Sequence, residues 1–336
     1  MINKKTKFCK AAALLGAAVM MISALAGCGK NTKVVLTAGL KKNEVFRISS
    51  ASCVLPEVMV YLTNMQNQYE SVYGSQIWNA SDGQLSLEQE EREQVLTQLA
   101  RIKVMNLLAQ KKEVTLDDKE KERAAAAGRE YFTSLNSAEV TALNVTQDLI
   151  TKMYEEYALA EKVYQTIVEN VNPEVSDDEA RTITVDRIKV SSAAKASQVL
   201  GKAKEEGVDF ETLAQAESED QTVTQSFGKG EVSEALEKAA FNLGKDEISD
   251  VVESDGSYYI LKCISTFDEA QTKANKEKIV KQRQSEAFDT EYTAFEQTLV
   301  RQLNEELWNS VTMIHQDDVK TSSFFEVYQM YFQHQE

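Results

Sequence analysis

The chain has only two prolines in 336 residues, Pro56 and Pro173, and their positions constrain its fold more than any other feature. Proline removes a backbone donor and breaks helices from interior positions, so the long stretch between the two prolines can form uninterrupted helices. Behind Pro173, Ser176 and Glu179 have the spacing of a helix-capping box. We therefore predict a helical region that ends near residue 175, followed by a second structural region.

Apolar residues between the two prolines recur at helical spacing. Val58, Leu62, Met65, Tyr69 and Val72 follow one another at alternating intervals of four and three residues, which places them on one helix face. A short strand is predicted before this helix, over residues 45–48. Further helices are predicted from Ser86 to Lys112, from Thr115 to Phe132, and from Ser137 or Asn144 to about Asn170.

The first 27 residues have the pattern of a signal peptide. Four lysines precede an apolar run from Ala11 to Ala24, which is too short for a spanning helix because a bilayer requires about 20 apolar residues. The small residues directly before Cys28 resemble a bacterial lipobox, which implies cleavage there and a lipid on the Cys28 sulfur. We predict an exported protein, lipid-anchored to the outer face of the bacterial cell membrane. The alternative is an ordinary secretory signal.

The chain is acidic, with a formal net charge of −16. Residues 1–27 contain four lysines and no acid, so the remainder has 33 basic and 53 acidic side chains and a charge of −20. Such a charge argues against a nucleic-acid partner, because nucleic-acid binding depends on neutralising phosphates.

Two cysteines, Cys53 and Cys263, remain besides Cys28 in the predicted mature chain. They either form one disulfide or are buried thiols, and their spacing does not decide between the two. The sequence has no metal-site spacing and predicts no cofactor. The two histidines, His315 and His334, both lie in the tail.

After Pro173 the sequence pattern changes from that of long helices to that of short, alternating strands and helices. A strand-like run from Thr182 to Val190 precedes a short helix around residues 209–215. After a glycine-spaced turn, the run Glu237–Leu243 precedes a closing strand around Gly256–Lys262. A charged helix is predicted from Glu269 to Gln302, then a strand over Leu307–Met313 and an aromatic tail from Phe324 to Phe332.

The order of short motifs between Thr182 and Phe267 resembles the parvulin (PpiC) family of peptidyl-prolyl isomerases. The motifs are Asp209-Phe210 with Leu213-Ala214, Ser218 with Asp220, Ala239-Ala240-Phe241 with Leu243, and Ile248-Ser249 with Val251-Val252. The whole layout resembles the PrsA and SurA foldase-chaperones. It implies an α+β fold, in which a mostly helical, discontinuous chaperone domain carries an inserted parvulin-like α/β domain. The predicted ranges are 1–27 (signal), 28–175 (helical domain), 176–268 (parvulin-like domain) and 269–336 (tail packing back on the helices).

The same resemblance assigns site residues. The two family histidines fall on Arg187 and Tyr259, and the family Cys or Asp falls on Asp220, so the catalytic floor would consist of these three side chains. Val232, Leu236 and Phe241 fall in the peptide-binding region that receives the proline. Because both histidines are replaced, the resemblance leaves isomerase activity open.

The sequence therefore predicts a membrane-anchored foldase or chaperone that binds unfolded or extended exported polypeptides. Two alternatives stay open at this point. The first is an active peptidyl-prolyl isomerase, and the second is a non-catalytic structural or docking lipoprotein. The oligomeric state is not predicted.

Overall fold

The computed structural model describes residues 39–80 and 86–332. Within them the chain divides into two compact units. The first unit contains residues 39–80, 86–170 and 285–332, and the second is Val171–Gln284. The predicted signal segment, Cys28 and His334 lie outside the described residues. The domain boundaries predicted after residues 175 and 268 stay predictions.

The elements are numbered in chain order. They are β1 (Glu44–Ile48), β2 (Ala51–Val54), α1 (Leu55–Tyr73), a 3-10 helix (Ser75–Asn79), α2 (Leu87–Lys111), α3 (Asp118–Ser134), α4 (Ser137–Leu143), α5 (Gln147–Val168), α6 (Asp177–Ala180), β3 (Ile183–Val190), α7 (Ala193–Ala203), α8 (Phe210–Glu217), β4 (Thr224–Phe227), α9 (Glu234–Phe241), β5 (Val252–Ser254), β6 (Ser257–Ser265), α10 (Glu269–Glu296), β7 (Arg301–Leu303), α11 (Glu305–Asn309) and α12 (Phe324–Phe332).

Capping side chains set the helix starts. The Ser86 hydroxyl accepts the Gln89 N–H at 3.2 Å and the Gln89 side chain accepts the Ser86 N–H at 3.0 Å, so the start predicted for α2 is confirmed. The start predicted at Thr115 for α3 is wrong. Asp117 is the N-cap and forms a reciprocal box with Glu120, at 2.8 and 2.6 Å. A carboxylate at this position also interacts favourably with the helix dipole.

The first unit contains a small antiparallel sheet with the strand order β2-β1-β7. The strand predicted near residues 45–48 is confirmed as β1, and its partner β7 pairs Phe46 with Leu303. The strand predicted over Leu307–Met313 is wrong, because its first residues form α11. The Asn304 side chain accepts the Leu307 N–H at 3.1 Å and caps this helix.

The C-terminal segment packs into the core of the helices from the N-terminal half. Phe324 is fully buried, and its ring stacks on Tyr154 with the centroids 4.5 Å apart. The Asn64 side chain accepts the Phe324 N–H at 3.0 Å, and the Tyr154 hydroxyl donates to the Phe324 carbonyl at 2.8 Å. The Asn64 side-chain amide also donates to the Tyr131 hydroxyl at 2.7 Å. The segment is therefore held by specific hydrogen bonds as well as by apolar burial.

A buried ion cluster links α1, α2 and α5. The Lys103 ammonium lies 2.9 Å from a Glu57 oxygen and 2.5 Å from a Glu156 oxygen, and the side chains of Lys103 and Glu57 are almost completely buried. Burial acts to lower the pKa of Lys103, but the two carboxylates outweigh it and raise the pKa. This cation is therefore fully paired, as buried charges generally are.

The second unit is built on one antiparallel sheet with the order β4-β3-β6-β5. Residues of α7 and α8, including Val199 and Phe210, pack with Ile188 and Ile260 on one face. Residues of α9 pack on the other face, against Val185 and Leu261. The predicted α+β class is confirmed, with a helical unit made from both ends of the chain and an inserted α/β unit.

Within the described ranges, no helix is both long and apolar enough to cross a membrane.

Cys53 and Cys263 are both free and buried, and burial raises the pKa of each thiol. The structure therefore has two buried thiols and no disulfide between them.

Glu91 in α2 is a buried carboxyl whose loss of hydration is not offset by hydrogen bonds. It is 0% exposed, and neither of its oxygens has a hydrogen-bond partner in the part of the chain that the structure describes. Desolvation raises its pKa from 4.5 to about 7. A carboxyl whose pKa is raised by folding destabilises the fold when ionised. The penalty is absent below about pH 4.5 and complete above about pH 7.

We expect Glu91→Gln to raise the free energy of unfolding at pH 8 above that of the wild type. The pKa shift from 4.5 to about 7 corresponds to about 3 kcal/mol. At pH 4.5 or below the two proteins should differ little, because the wild-type carboxyl is then protonated. Urea denaturation across this range measures the difference. Glu122→Gln, at an exposed carboxyl in α3, is the control and should give no such pH dependence. A constant difference between Glu91→Gln and wild type would contradict the assignment.

Candidate functional site

The candidate site lies on the α9 face of the second sheet. Side chains alternate between the two faces along a strand, so Val185, Arg187 and Lys189 of β3 share one face. On β6, Tyr259 is directly opposite Lys189 and Leu261 is directly opposite Arg187. Arg187 and Tyr259 are therefore diagonal neighbours on the same face.

Arg187 is held in a fixed charge pair with Asp220. Its Nη2 donates to Asp220 Oδ2 at 2.6 Å, and its Nε donates to the Thr222 carbonyl at 3.2 Å. The other Asp220 oxygen accepts the Thr222 N–H at 3.1 Å. The pair is partly exposed, with 19% of the Arg187 side chain and 27% of the Asp220 side chain accessible. Two of the three Arg187 guanidinium nitrogens and both Asp220 carboxylate oxygens thus have partners before any ligand arrives.

Tyr259 lies in the apolar cluster beneath α9. It is 8% exposed and packs with Val185, Leu261 and Cys263. Its hydroxyl has no hydrogen-bond partner among residues 39–80 and 86–332. The structure therefore brings Arg187 and Asp220 into direct contact and places Tyr259 on the same sheet face, without a hydrogen bond to either.

Lys189 was not predicted as a site residue. Its ammonium lies 5.9 Å from the centroid of the Tyr259 ring, within the range of a cation–π interaction. The sequence did contain the signal, because Lys189 follows Arg187 by two residues and must share its sheet face. The floor of the site consequently carries two cationic side chains beside one phenol.

The residues predicted to receive a proline lie close to this floor. Val232, Leu236 and Phe241 are partly buried and pack against the same cluster as Tyr259. Ser233 begins α9 by accepting the Leu236 N–H, which fixes the orientation of the Leu236 turn.

Phe241 differs from the other two in being covered by cations. Its ring lies 6.1 Å from that of Phe227, and the Arg181 guanidinium is 4.9 Å from its centroid. The Lys229 ammonium is 5.8 Å from the same centroid. These contacts leave less of the ring available to a peptide. Val232 and Leu236 are therefore the better candidates for an apolar contact with a ligand.

The geometry allows peptide binding with little acid–base chemistry. A guanidinium stays protonated at all physiological pH values, so Arg187 cannot exchange protons as an imidazole does. His315 lies in the first unit, where its Nδ1 is 3.5 Å from the Gln66 side chain. Within the described residues, no group of three or more His, Cys, Asp or Glu is placed to hold a metal ion. An apolar patch, one phenol, the Lys189 ammonium and a fixed ion pair remain as the available chemistry.

The chain is similar to one curated protein and to two solved structures described next. The chain is 30% identical over 165 residues to foldase protein PrsA from Streptococcus pneumoniae, which covers 44% of this chain and 53% of that relative. It therefore spans about half the length of the curated relatives it matches. The crystal structure of a peptidylprolyl isomerase (PrsA) from Bacillus cereus is 18% identical with a TM-score of 0.38, over 72% of this chain and 91% of that chain. A SurA-like chaperone from Campylobacter jejuni is 10% identical with a TM-score of 0.31, over 78% and 99% of the two chains.

A family model extends across the whole candidate site. Residues 161–277 match the PPIC-type PPIASE domain. The match begins in the last part of α5 and ends in the first part of α10, so it includes Arg187, Asp220 and Tyr259. The resemblance predicted from the order of short motifs is confirmed. Residues 161–277 thus match a PPIC-type domain, within a chain that is similar to foldase protein PrsA over about half of that protein's length.

Proposed function

We propose that this chain is a foldase-chaperone for exported polypeptides and that its PPIC-type domain binds extended client segments. One observation carries the proposal. In a domain that matches the PPIC type, Val232, Leu236 and Tyr259 contribute to one apolar cluster on the sheet face that also carries the Arg187–Asp220 pair. An apolar contact beside polar side chains suits an extended peptide. The relatives whose names include foldase and chaperone support the same function.

Catalysis of proline isomerisation is the second candidate, and Tyr259 is the observation that favours it. An X-Pro bond crosses a barrier of about 18–20 kcal/mol, and an isomerase lowers it by desolvating and hydrogen-bonding the twisted amide. A buried phenol without a partner can donate such a bond to a carbonyl. The Arg187–Asp220 pair contributes less, because its charges already neutralise each other.

We further propose that the protein is exported and attached through Cys28 to the outer face of the bacterial cell membrane. The basic segment, the apolar run and the small residues before Cys28 support this proposal. Acyl chains on Cys28 would anchor the chain by about 0.8 kcal/mol per buried methylene.

Chaperone activity should appear as suppressed aggregation. We expect the chain from Gly29 onward to reduce light scattering by a reduced, unfolded secreted protein at equimolar concentration, since it would cover exposed client segments. Because high negative charge alone can improve solubility, an equally acidic globular protein is the control. Scattering unaffected by the chain would reject the chaperone proposal and favour the docking lipoprotein.

Isomerase activity should depend on the Tyr259 hydroxyl. In a refolding reaction limited by proline isomerisation, Tyr259→Phe should lower catalytic efficiency about tenfold, the equivalent of about 1.4 kcal/mol for one lost hydrogen bond. Tyr258→Phe removes the same group from the opposite sheet face and should change nothing. Equal effects of the two substitutions would contradict the role of Tyr259. A wild-type chain without any acceleration would reject residual isomerase activity and leave client binding in place.

Lipid attachment should depend on Cys28. Expressed in a bacterium, the wild-type chain should fractionate with membranes, whereas Cys28→Ser should be recovered in the soluble fraction. Cys9→Ser makes the same chemical change within the segment that cleavage removes, so it should fractionate like wild type. Membrane association of Cys28→Ser at the wild-type level would overturn the anchor.

A further inference from the structure

A narrow apolar groove runs along the first unit between α2 and α5. About 40 Å³ of it can be entered by water-sized molecules, and about 500 Å³ is free of protein atoms when the open solvent at its mouth is included. Most of its wall is aliphatic or aromatic, and the polar atoms are few. Its lining includes Arg101, Ile102 and Met105 of α2, and Tyr157, Glu161 and Tyr164 of α5.

Glu161 is a desolvated carboxyl without a cationic partner. The Tyr328 hydroxyl of α12 donates to its Oε2 at 2.5 Å. Burial raises the pKa of Glu161, and the Tyr328 hydrogen bond opposes this only in part. No nitrogen of a Lys, Arg or His in the described ranges lies within 4.0 Å of its oxygens, which is the limit for an ion pair. By contrast, Lys103 in the neighbouring ion cluster is paired with two carboxylates.

The groove also contains one cation, Arg101, whose charge lies against aromatic rings. Its guanidinium is 5.4 Å from the centroid of Phe288 and 5.3 Å from that of Tyr292, both on α10. Arg101 affects the titration of Tyr164 but is not among the groups that shift Glu161. A positively charged ligand group would therefore be favoured beside the Glu161 carboxylate.

We infer that this groove binds a lysine or arginine side chain of an extended client segment, with the cationic head on Glu161 and the aliphatic stem along Ile102 and Met105. The inference rests on the proposed chaperone function and names the client chemistry that one site would select. Lysine and arginine combine an apolar stem with a charged head, which matches an apolar slot that contains one carboxylate.

Two physical arguments favour this occupant over a purely apolar one. A desolvated carboxylate gains most from a partner that brings both charge and hydrogen-bond donors, because the cost of removing it from water has already been met by the fold. The chain also has a formal net charge of −16, so basic segments are attracted to it at long range.

Fluorescence anisotropy with two labelled peptides tests the inference. Both peptides consist of Gly, Ser and Thr around a central triplet, Leu-Lys-Leu in one and Leu-norleucine-Leu in the other. We expect the chain from Gly29 onward to bind the lysine peptide about tenfold more tightly, equivalent to about 1.4 kcal/mol. Glu161→Gln should abolish the preference, since the amide keeps the size and the Tyr328 contact but loses the charge.

Asp148→Asn is the matched control, because it removes one charge from an exposed position near the start of the same helix. It should retain the preference, which separates a local effect of Glu161 from general attraction to an acidic protein. Thermal unfolding of each variant checks that it is folded. The wild-type comparison of the two peptides tests the inference without any substitution.

The remaining outcomes distinguish this inference from the function on which it rests. If Glu161→Gln keeps the wild-type preference, or if wild type shows none, the groove does not select cations and the inference is overturned. If aggregation is suppressed while neither peptide binds, the inference fails and the chaperone proposal stands. If aggregation is not suppressed and neither peptide binds, both fail.

Discussion

The first unit depends on one docking contact, the insertion of Phe324 between the helices of the N-terminal half. Its ring stacks on Tyr154 while its backbone N–H and carbonyl are bound by Asn64 and Tyr154. A buried backbone without these partners would cost roughly 1–3 kcal/mol for each unsatisfied group. The contact therefore specifies a position for the tail, and the two distant ends of the chain form one core.

This closure explains how the chain can contain a second unit without losing the first. The chain segments before and after the α/β unit both belong to the core of the first unit. The stability of the α/β unit therefore depends on its own sheet. Its two clusters, beneath α7 and α8 on one face and beneath α9 on the other, give each sheet face a covering helix layer. The Arg187–Asp220 pair lies at the part of the sheet where β3 meets the loop before β4, a position set by this framework.

Much of the fold could be predicted because its signals are local. The Ser86 cap, the helical stripes and the order of parvulin-like motifs each depend on residues near one another in sequence. The segment around Leu307 was predicted wrongly because five residues are too few to show a period, and the Asn304 cap decided the outcome. Strand β7 was missed because three residues pair with β1 across more than half of the chain.

The site was predictable in composition and only partly in geometry. Alignment of motifs selected Arg187, Asp220 and Tyr259, but it could not show that two of them are bonded to each other while the third has its hydroxyl unpaired. Burial and hydrogen bonding in three dimensions decide such differences.

Two charged sites, one in each unit, differ in whether their side chains already have partners of opposite charge, and this difference affects how strongly each can attract a charged ligand group. An ion pair such as Arg187–Asp220 has its charges neutralised within the fold, so a charged ligand gains little by replacing either partner. A desolvated carboxylate without a cation, such as Glu161, gains an interaction when a ligand supplies one. A cationic ligand group is therefore expected to gain more at Glu161 than at the Arg187–Asp220 pair.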